Sequence, residues 1–251
     1  MKIYHLYHSG IAIEYQNKLV VFDYYLDKID RHKIEGFDQN DLSQNNLASG
    51  VIRKDTLVKY DDVYVFVTHR HSDHYNPVIF EWEQYNPRIK YILSDDIIRE
   101  NKSDTKNVYY MKKGEQISVD EISISAYGST DQGVSFLLIY NGKTIFHAGD
   151  LNWWHWSSFS EDQLQQEEDD FKREVNQLKG KKIDIAFVPV DPRLKNYHYL
   201  AGEYFIETLR PSLFVPIHFG DEYNITEEFA RRLSDYDTKI AIINRPGEKV
   251  Y

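Results

Sequence analysis

Eight residues constrain this chain more than any others: Thr68-His69-Arg70-His71-Ser72-Asp73-His74-Tyr75. They follow Val63, Val65 and Val67, which alternate with Tyr64 and Phe66 in a β-branched and aromatic run that reads as a buried strand. The strand ends in four potential metal ligands: three imidazoles and a carboxylate. Borderline divalent cations want such donors fixed rigidly in space. A turn at a strand end supplies them, with His69 and His71 pointing one way and Asp73 and His74 free to turn toward a second ion. One histidine in a surface loop would carry little meaning. Three with an aspartate at this spacing make a ligand set.

Composition narrows the rest. The chain has 251 residues, long enough for a substantial core. It has no cysteine, so a disulfide framework and a thiolate zinc site are both excluded, and any metal is held by His, Asp or Glu. The formal net charge of -10 disfavours a nucleic-acid backbone as partner. The first residues lack an apolar signal region and no stretch approaches a membrane span, so the expected location is the cytoplasm.

Taken in order, residues 2–7 read as a strand, and 11–15 with 19–22 as a hairpin turned at Gln16-Asn17-Lys18. Asp23 follows directly. His8, in the turn before the hairpin, stands equally as a site residue and as a surface histidine. Residues 24–60 are polar, above all 39–46, and read as a long surface excursion forming part of a cleft wall. Pro77 opens a short helix over 78–85 that Asn86-Pro87 stops. Strands are expected at 90–93, 108–111, 116–119 and 122–127. A second hairpin, 133–140 and 144–146 around Asn141-Gly142-Lys143, echoes the first about half a chain later.

Asp150 stands just past that hairpin, with Gly149 allowing close backbone approach. Trp153, Trp154 and Trp156 come next, a cluster costly to expose, which reads as one wall of a substrate pocket. His147 and His155 divide evenly between site contacts and packing. Ser160-Glu161-Asp162-Gln163 is a capping box opening a helix with Leu164, Phe171, Val175 and Leu178 on one stripe. Residues 183–190 form a buried strand leading to Asp191-Pro192-Arg193, 204–209 a helix, and 212–217 a last core strand ending at His218. A helix at 226–233 and a strand at 239–243 close the chain. No linker is evident, so one domain spans 1–251, with related halves of roughly 1–115 and 116–251.

The spacing His69-x-His71-x-Asp73-His74 resembles the signature of the metallo-β-lactamase-fold hydrolases, and in overall look the branch containing L-ascorbate-6-phosphate lactonase. The resemblance implies an α+β fold, an αββα sandwich of two packed mixed β-sheets with helices on the outer faces. It implies Asp23 as the aspartate that closes its strand beneath the metals and bonds to the ligand shell. Asp150 becomes the bridging ligand and His218 the final one. Asp73 becomes the catalytic residue, binding the second metal and orienting the attacking hydroxide, with His74 and His218 completing that site.

One departure is plain. The histidine that usually precedes the second hairpin is absent from Gly128-Ser129-Thr130-Asp131-Gln132-Gly133. The first site then keeps His69, His71 and Asp150, with water or Asp131 as fourth donor and His8 or His147 as other compensating ligands. Such an oxygen-richer shell favours manganese, iron or magnesium more than three histidines would. The expected cofactors are two divalent ions, zinc, manganese or iron. The expected reaction is hydrolysis of an ester, lactone or phosphoester of a small molecule, with Arg193 or His198 meeting an anionic group. The rivals are a phosphodiesterase or nuclease of the same fold and a metal-bound binding module without turnover.

Overall fold

The computed structural model describes residues 1–28, 47–99 and 107–251. They form two compact units, 1–110 with 243–251, and 111–242. In chain order the first unit contributes β1 (Lys2–Tyr7), β2 (Gly10–Tyr15), β3 (Lys18–Phe22), the one-turn helix α1 (Lys54–Leu57), β4 (Asp62–Val67), β5 (Ile89–Ser94) and β6 (Val108–Met111). The second contributes β7 (Gln116–Val119), β8 (Ile122–Tyr127), β9 (Ser135–Tyr140), β10 (Lys143–His147), α2 (Glu161–Asn176), β11 (Ile185–Pro189), α3 (Leu200–Leu209), β12 (Leu213–Ile217), α4 (Asn224–Arg232) and β13 (Lys239–Ile240). β14 (Glu248–Lys249) returns to the first sheet, beside β1.

Each unit is built on a seven-stranded mixed sheet, in the orders β14-β1-β2-β3-β4-β5-β6 and β13-β12-β11-β10-β9-β8-β7. The two share one plan. An antiparallel meander (β1 to β3; β7 to β10) passes into parallel pairs, β3 with β4 and β5, and β10 with β11, β12 and β13. Parallel neighbours end on the same rim of their sheet. Asp23 and the loop after β4 therefore share one rim, while Asp150, Asp191 and His218 share the rim of the other. Ligand sites in parallel sheets sit at such carboxyl ends.

Strand composition explains the layering. Val63, Val65 and Val67 face a core with Leu19, Val21 and Tyr91, while Phe66 on the opposite face stacks on Phe22 at 4.8 Å. Both faces of β4 are buried, as the β-branched and aromatic run requires. In the second unit Phe146, Ala186, Val188 and Phe214 face Phe171, Val175, Phe205 and Phe229 of the helices. α2 opens on the expected capping box, Ser160 accepting from Gln163 N while the Gln163 side chain accepts from Ser160 N.

Several boundaries differ from the sequence reading. Residues 78–85 form a 3-10 helix, Pro77–Gln84. The helix expected at 204–209 begins at Leu200, and that expected at 226–233 begins at Asn224. The strand expected over 239–243 pairs only at Lys239 and Ile240. The surface excursion is a partial error. Residues 29–46, with most of its polar stretch, lie outside the described residues, but Leu47, Val51, Ile52 and Leu57 are buried in the first core. Short apolar pieces at wide intervals gave no periodicity to read. On α2, Leu164 is only half-buried, whereas Glu174 is buried and bound to Lys113 Nζ at 2.6 Å and Gln177 Nε2 at 2.7 Å. No helix among the described residues is long and apolar enough to cross a membrane.

Candidate metal centre

In the first unit, Asp23 ends β3 in the left-handed region, at φ 44°, and is fully buried. Its carboxylate is saturated. Oδ1 accepts from Thr68 N at 2.8 Å, and Oδ2 accepts from Thr68 Oγ1 at 2.7 Å and from His74 Nδ1 at 2.8 Å. A carboxylate can only accept, so the His74 proton sits on Nδ1 and its Nε2 keeps a lone pair. The loop after β4 closes on itself, with His74 N and Tyr75 N both donating to His71 O at 3.0 Å. Arg70 N donates to Asp96 Oδ2 at 3.0 Å.

That loop gathers His69, His71 and His74. The His69 ring lies 4.6 Å from that of His71 and 4.1 Å from that of His74. His69 Nε2 and His71 Nδ1 stand 3.1 Å apart. His8, another left-handed residue at φ 55°, brings Nε2 to 3.6 Å from Asp73 Oδ2. His8, Asp73 and His74 each offer a ligand atom within 4.8 Å of the others. His8 holds the Asp73 carboxyl well below the usual carboxylate range.

In the second unit, Asp150 and His218 meet: Asp150 Oδ1 lies 3.2 Å from His218 Nε2, with both side chains buried. Gly149 takes φ 55° to present Asp150, a conformation that favours glycine. His147 shapes the same turn, its Nδ1 accepting from Gly149 N at 3.2 Å. Thr130 braces it, with Oγ1 donating to Asn152 O at 2.6 Å and accepting from Asn152 N at 2.9 Å. His218 is at φ 67°. Non-glycine residues held there, such as His8, Asp23 and His218, store strain of order 1–3 kcal/mol each and cluster at functional sites.

Asp191, which ends β11, is the residue sequence reasoning missed. Buried, it places Oδ2 3.1 Å from His218 Nδ1 and accepts from Arg193 Nε at 2.9–3.0 Å and Nη2 at 2.5 Å. Burial would raise its carboxyl, but the bonds to His218 and Arg193 outweigh that and bring it to about 2. Arg193 Nη2 also lies 3.4 Å from His218 Nδ1. The shorter contact, to a group that can only accept, fixes the proton on Nδ1. Asp191 thus does for His218 what Asp23 does for His74. The available signal was its position, directly after an apolar strand like Asp23 and Asp150.

The tryptophans divide. Trp154 is buried, parallel to Trp156 at 5.7 Å, and its ring lies 5.7 Å from that of His218. Trp153 turns away from that arrangement. It stacks on Phe171 at 6.2 Å under Lys172 Nζ at 4.8 Å and belongs to the helix-side core. Alternation along the segment sends neighbouring indoles to opposite sides. His155 lies against Tyr197 at 3.9 Å. His198 is buried, with Nδ1 2.5 Å from Lys195 O and Nε2 3.8 Å from Glu228. The Asp131 side chain is exposed and joins no cluster of candidate ligand atoms among the described residues.

The donor sets fit divalent cations. Ligand atoms at about 2.0–2.1 Å from one tetrahedral ion stand roughly 3.3–3.4 Å apart, and a few tenths less where the angle closes. The pairs His69–His71 and Asp150–His218 show 3.1 and 3.2 Å. Imidazole and carboxylate without thiolate suit zinc, manganese or iron.

No family model matches the chain. Two curated relatives do. A UPF0173 protein of Pyrococcus furiosus is 26% identical over 193 residues, covering 72% of this chain and 78% of the relative. A UPF0173 metal-dependent hydrolase of Nanoarchaeum equitans is 22% identical over 289 residues, covering 99% of each. A possible metal-dependent hydrolase from Veillonella parvula has the same fold at a TM-score of 0.61 and 10% identity, covering 100% of this chain and 98% of its own. A CmlA β-hydroxylase mutant gives a TM-score of 0.62 at 12% identity; the match covers 95% of this chain, which spans only about half, 51%, of that protein. The α+β fold expected from the sequence is the one these structures share. The chain has the metallo-β-lactamase fold, which it shares with YhfI of Bacillus subtilis at a TM-score of 0.57 and 12% identity, covering 97% of each, and in sequence it is similar to the UPF0173 proteins.

Proposed function

We propose that this chain is a hydrolase of small-molecule esters, lactones or phosphoesters that depends on two divalent cations. His69 and His71 would hold one ion, and Asp73, His74 and His218 the other, with Asp150 completing the donor set. The observation that carries this reading is the paired arrangement of carboxylate and histidine. His74 and His218 are each held through Nδ1 by a buried aspartate, which leaves Nε2 as the donor. Such outer carboxylates orient metal-binding imidazoles and raise their basicity. The fold alone does not select hydrolysis, since CmlA is a β-hydroxylase; the donor set and the curated relative favour it.

When bound, the cations supply Lewis acidity and bring the pKa of water from 15.7 to about 7. The protein's own groups do the rest. Asp73, kept ionised by His8, accepts a hydrogen bond from the attacking water and orients it. Trp154 beside His218 excludes bulk water from that side. Asp191 and Asp23 keep His218 and His74 in the tautomer that leaves Nε2 free of a proton.

Metal analysis of the purified protein, followed by lactone, carboxyester and phosphodiester substrates with and without chelator, tests this. The expected result is about two equivalents of zinc, manganese or iron and turnover that chelation abolishes and metal restores. Protein that binds no divalent metal, or turnover indifferent to chelator, overturns it.

A further inference from the structure

The segment after Asp150 carries features that the metal ligands do not explain. Trp154 and Trp156 lie parallel, 3° apart in plane, and Trp154 meets the His218 ring edge-on. Arg193 lies over Trp156 at 5.7 Å. Its charge is engaged by Asp191 through Nε and Nη2, so the wall it forms with the indoles is close to neutral. In the same segment Trp154 Nε1 and Asn152 Nδ2 are buried and meet no acceptor among the described residues. A buried N–H without an acceptor is a standing cost that folding by itself does not remove. An acceptor oxygen on a bound molecule would.

Resting on the hydrolase reading above, we infer that the segment from Asn152 to Trp156 selects the substrate class: a planar, uncharged group bearing an acceptor oxygen next to the scissile bond. Stacked indoles favour flat, polarisable surfaces over saturated ones. The Nε and Nη2 edge of the guanidinium is engaged by Asp191, which offsets its charge along the wall. Trp154 Nε1–H and Asn152 Nδ2–H donate to the acceptor, and Trp156 covers the plane. An aryl or other conjugated ester or lactone meets these demands; a phosphosugar does not.

The test uses inert amides, so that binding is read without turnover. Purified metal-loaded protein is titrated calorimetrically with 2-naphthamide, its decahydro analogue and its 6-sulfonate derivative. 2-Naphthamide is expected to bind at least about tenfold tighter than either of the others. Trp156→Leu should weaken it about tenfold, and Trp154→Phe, which keeps a ring but loses the donor, about fivefold. Trp156 is only half-buried, so its variant carries the test if Trp154→Phe fails to fold. Equal or tighter binding of the sulfonate or the decahydro analogue, absence of binding by all three probes, or wild-type affinity in the folded variants overturns the inference. Metal content and chelator-sensitive turnover of the same preparation test the hydrolase reading separately.

Discussion

Asp191 Oδ2 and His218 Nδ1 lie 3.1 Å apart, each side chain buried, and no property of either residue taken singly in the sequence announces the pair. They come together because β11 and β12 are parallel neighbours with Pro189 opposite Ile217. A carboxylate two residues past the first strand then faces a histidine one residue past the second. Asp23 and His74 repeat the relationship at the ends of β3 and β4. Asp191→Asn removes the charge and replaces one acceptor oxygen by an amide donor, which lets the ring take the other tautomer. Metal affinity should fall by about 10–100-fold, measured by calorimetric titration of zinc into chelated protein. Nitrogen NMR of His218 should show the proton leaving Nδ1. Unchanged affinity and tautomer would make Asp191 a packing residue only.

Asp23 carries three hydrogen bonds at full burial. Removing its side chain strands Thr68 N, Thr68 Oγ1 and His74 Nδ1. Asp23→Ala should cost about 3–5 kcal/mol of stability, since breaking a buried charged hub leaves each partner desolvated. Urea unfolding of chelated wild type and variant measures it; a loss under about 1 kcal/mol would mean that water replaces the carboxylate without cost.

Much of this arrangement was legible in the sequence, and the physical reasons separate what was from what was not. The run Val63–Val67 and the ligand cluster behind it locate a strand and its loop because both signals are local. Asp150 and His218 were legible as strand-end residues next to glycine, though their mutual approach depends on a parallel pairing that only the fold supplies. Asp191 was passed over for the same reason. Trp153 was misplaced because a three-indole cluster reads as one surface, while the backbone sends alternate side chains to opposite sides. The burial of Glu174 carries no local signal, since its partner Lys113 stands 61 residues away in the chain.

His5 offers a pH-dependent test in a core position. Its ring is fully buried, with Nε2 3.0 Å from the His8 carbonyl oxygen. Burial lowers its pKa from 6.5 to about 4. In the unfolded chain the ring protonates near 6.5, so between these values the unfolded state binds the extra proton. The contribution is therefore intact above about pH 6.5 and is lost as pH falls through about 4. Between pH 7.5 and 5 the loss from this group should be about 2 kcal/mol. Denaturant unfolding of wild type and His5→Gln at both pH values should show the variant with the shallower dependence. Parallel pH profiles would show that His5 does not titrate differently in the two states.

The last prediction concerns the residue that compensates for the histidine absent at Ser129. Asp131 and His8 were both candidates, and the structure separates them physically. The Asp131 side chain is exposed, its backbone N donating to Ser129 Oγ at 3.2 Å. His8 is buried, 3.6 Å from Asp73, with its ring 5.7 Å from that of His74. On the proposed assignment, His8 is expected to strengthen the ligand set of Asp73 and His74 and to leave that of His69 and His71 as the poorer one. Zinc titrated into chelated protein should show two distinguishable affinities. Asp131→Ala should change neither. His8→Asn, chosen because asparagine tolerates a left-handed backbone, should weaken only the tighter one, by about 10–100-fold. A selective loss of the weaker step in Asp131→Ala would return Asp131 to the ligand shell. Two equal, tight steps in the wild type would mean that the missing histidine has been replaced in full.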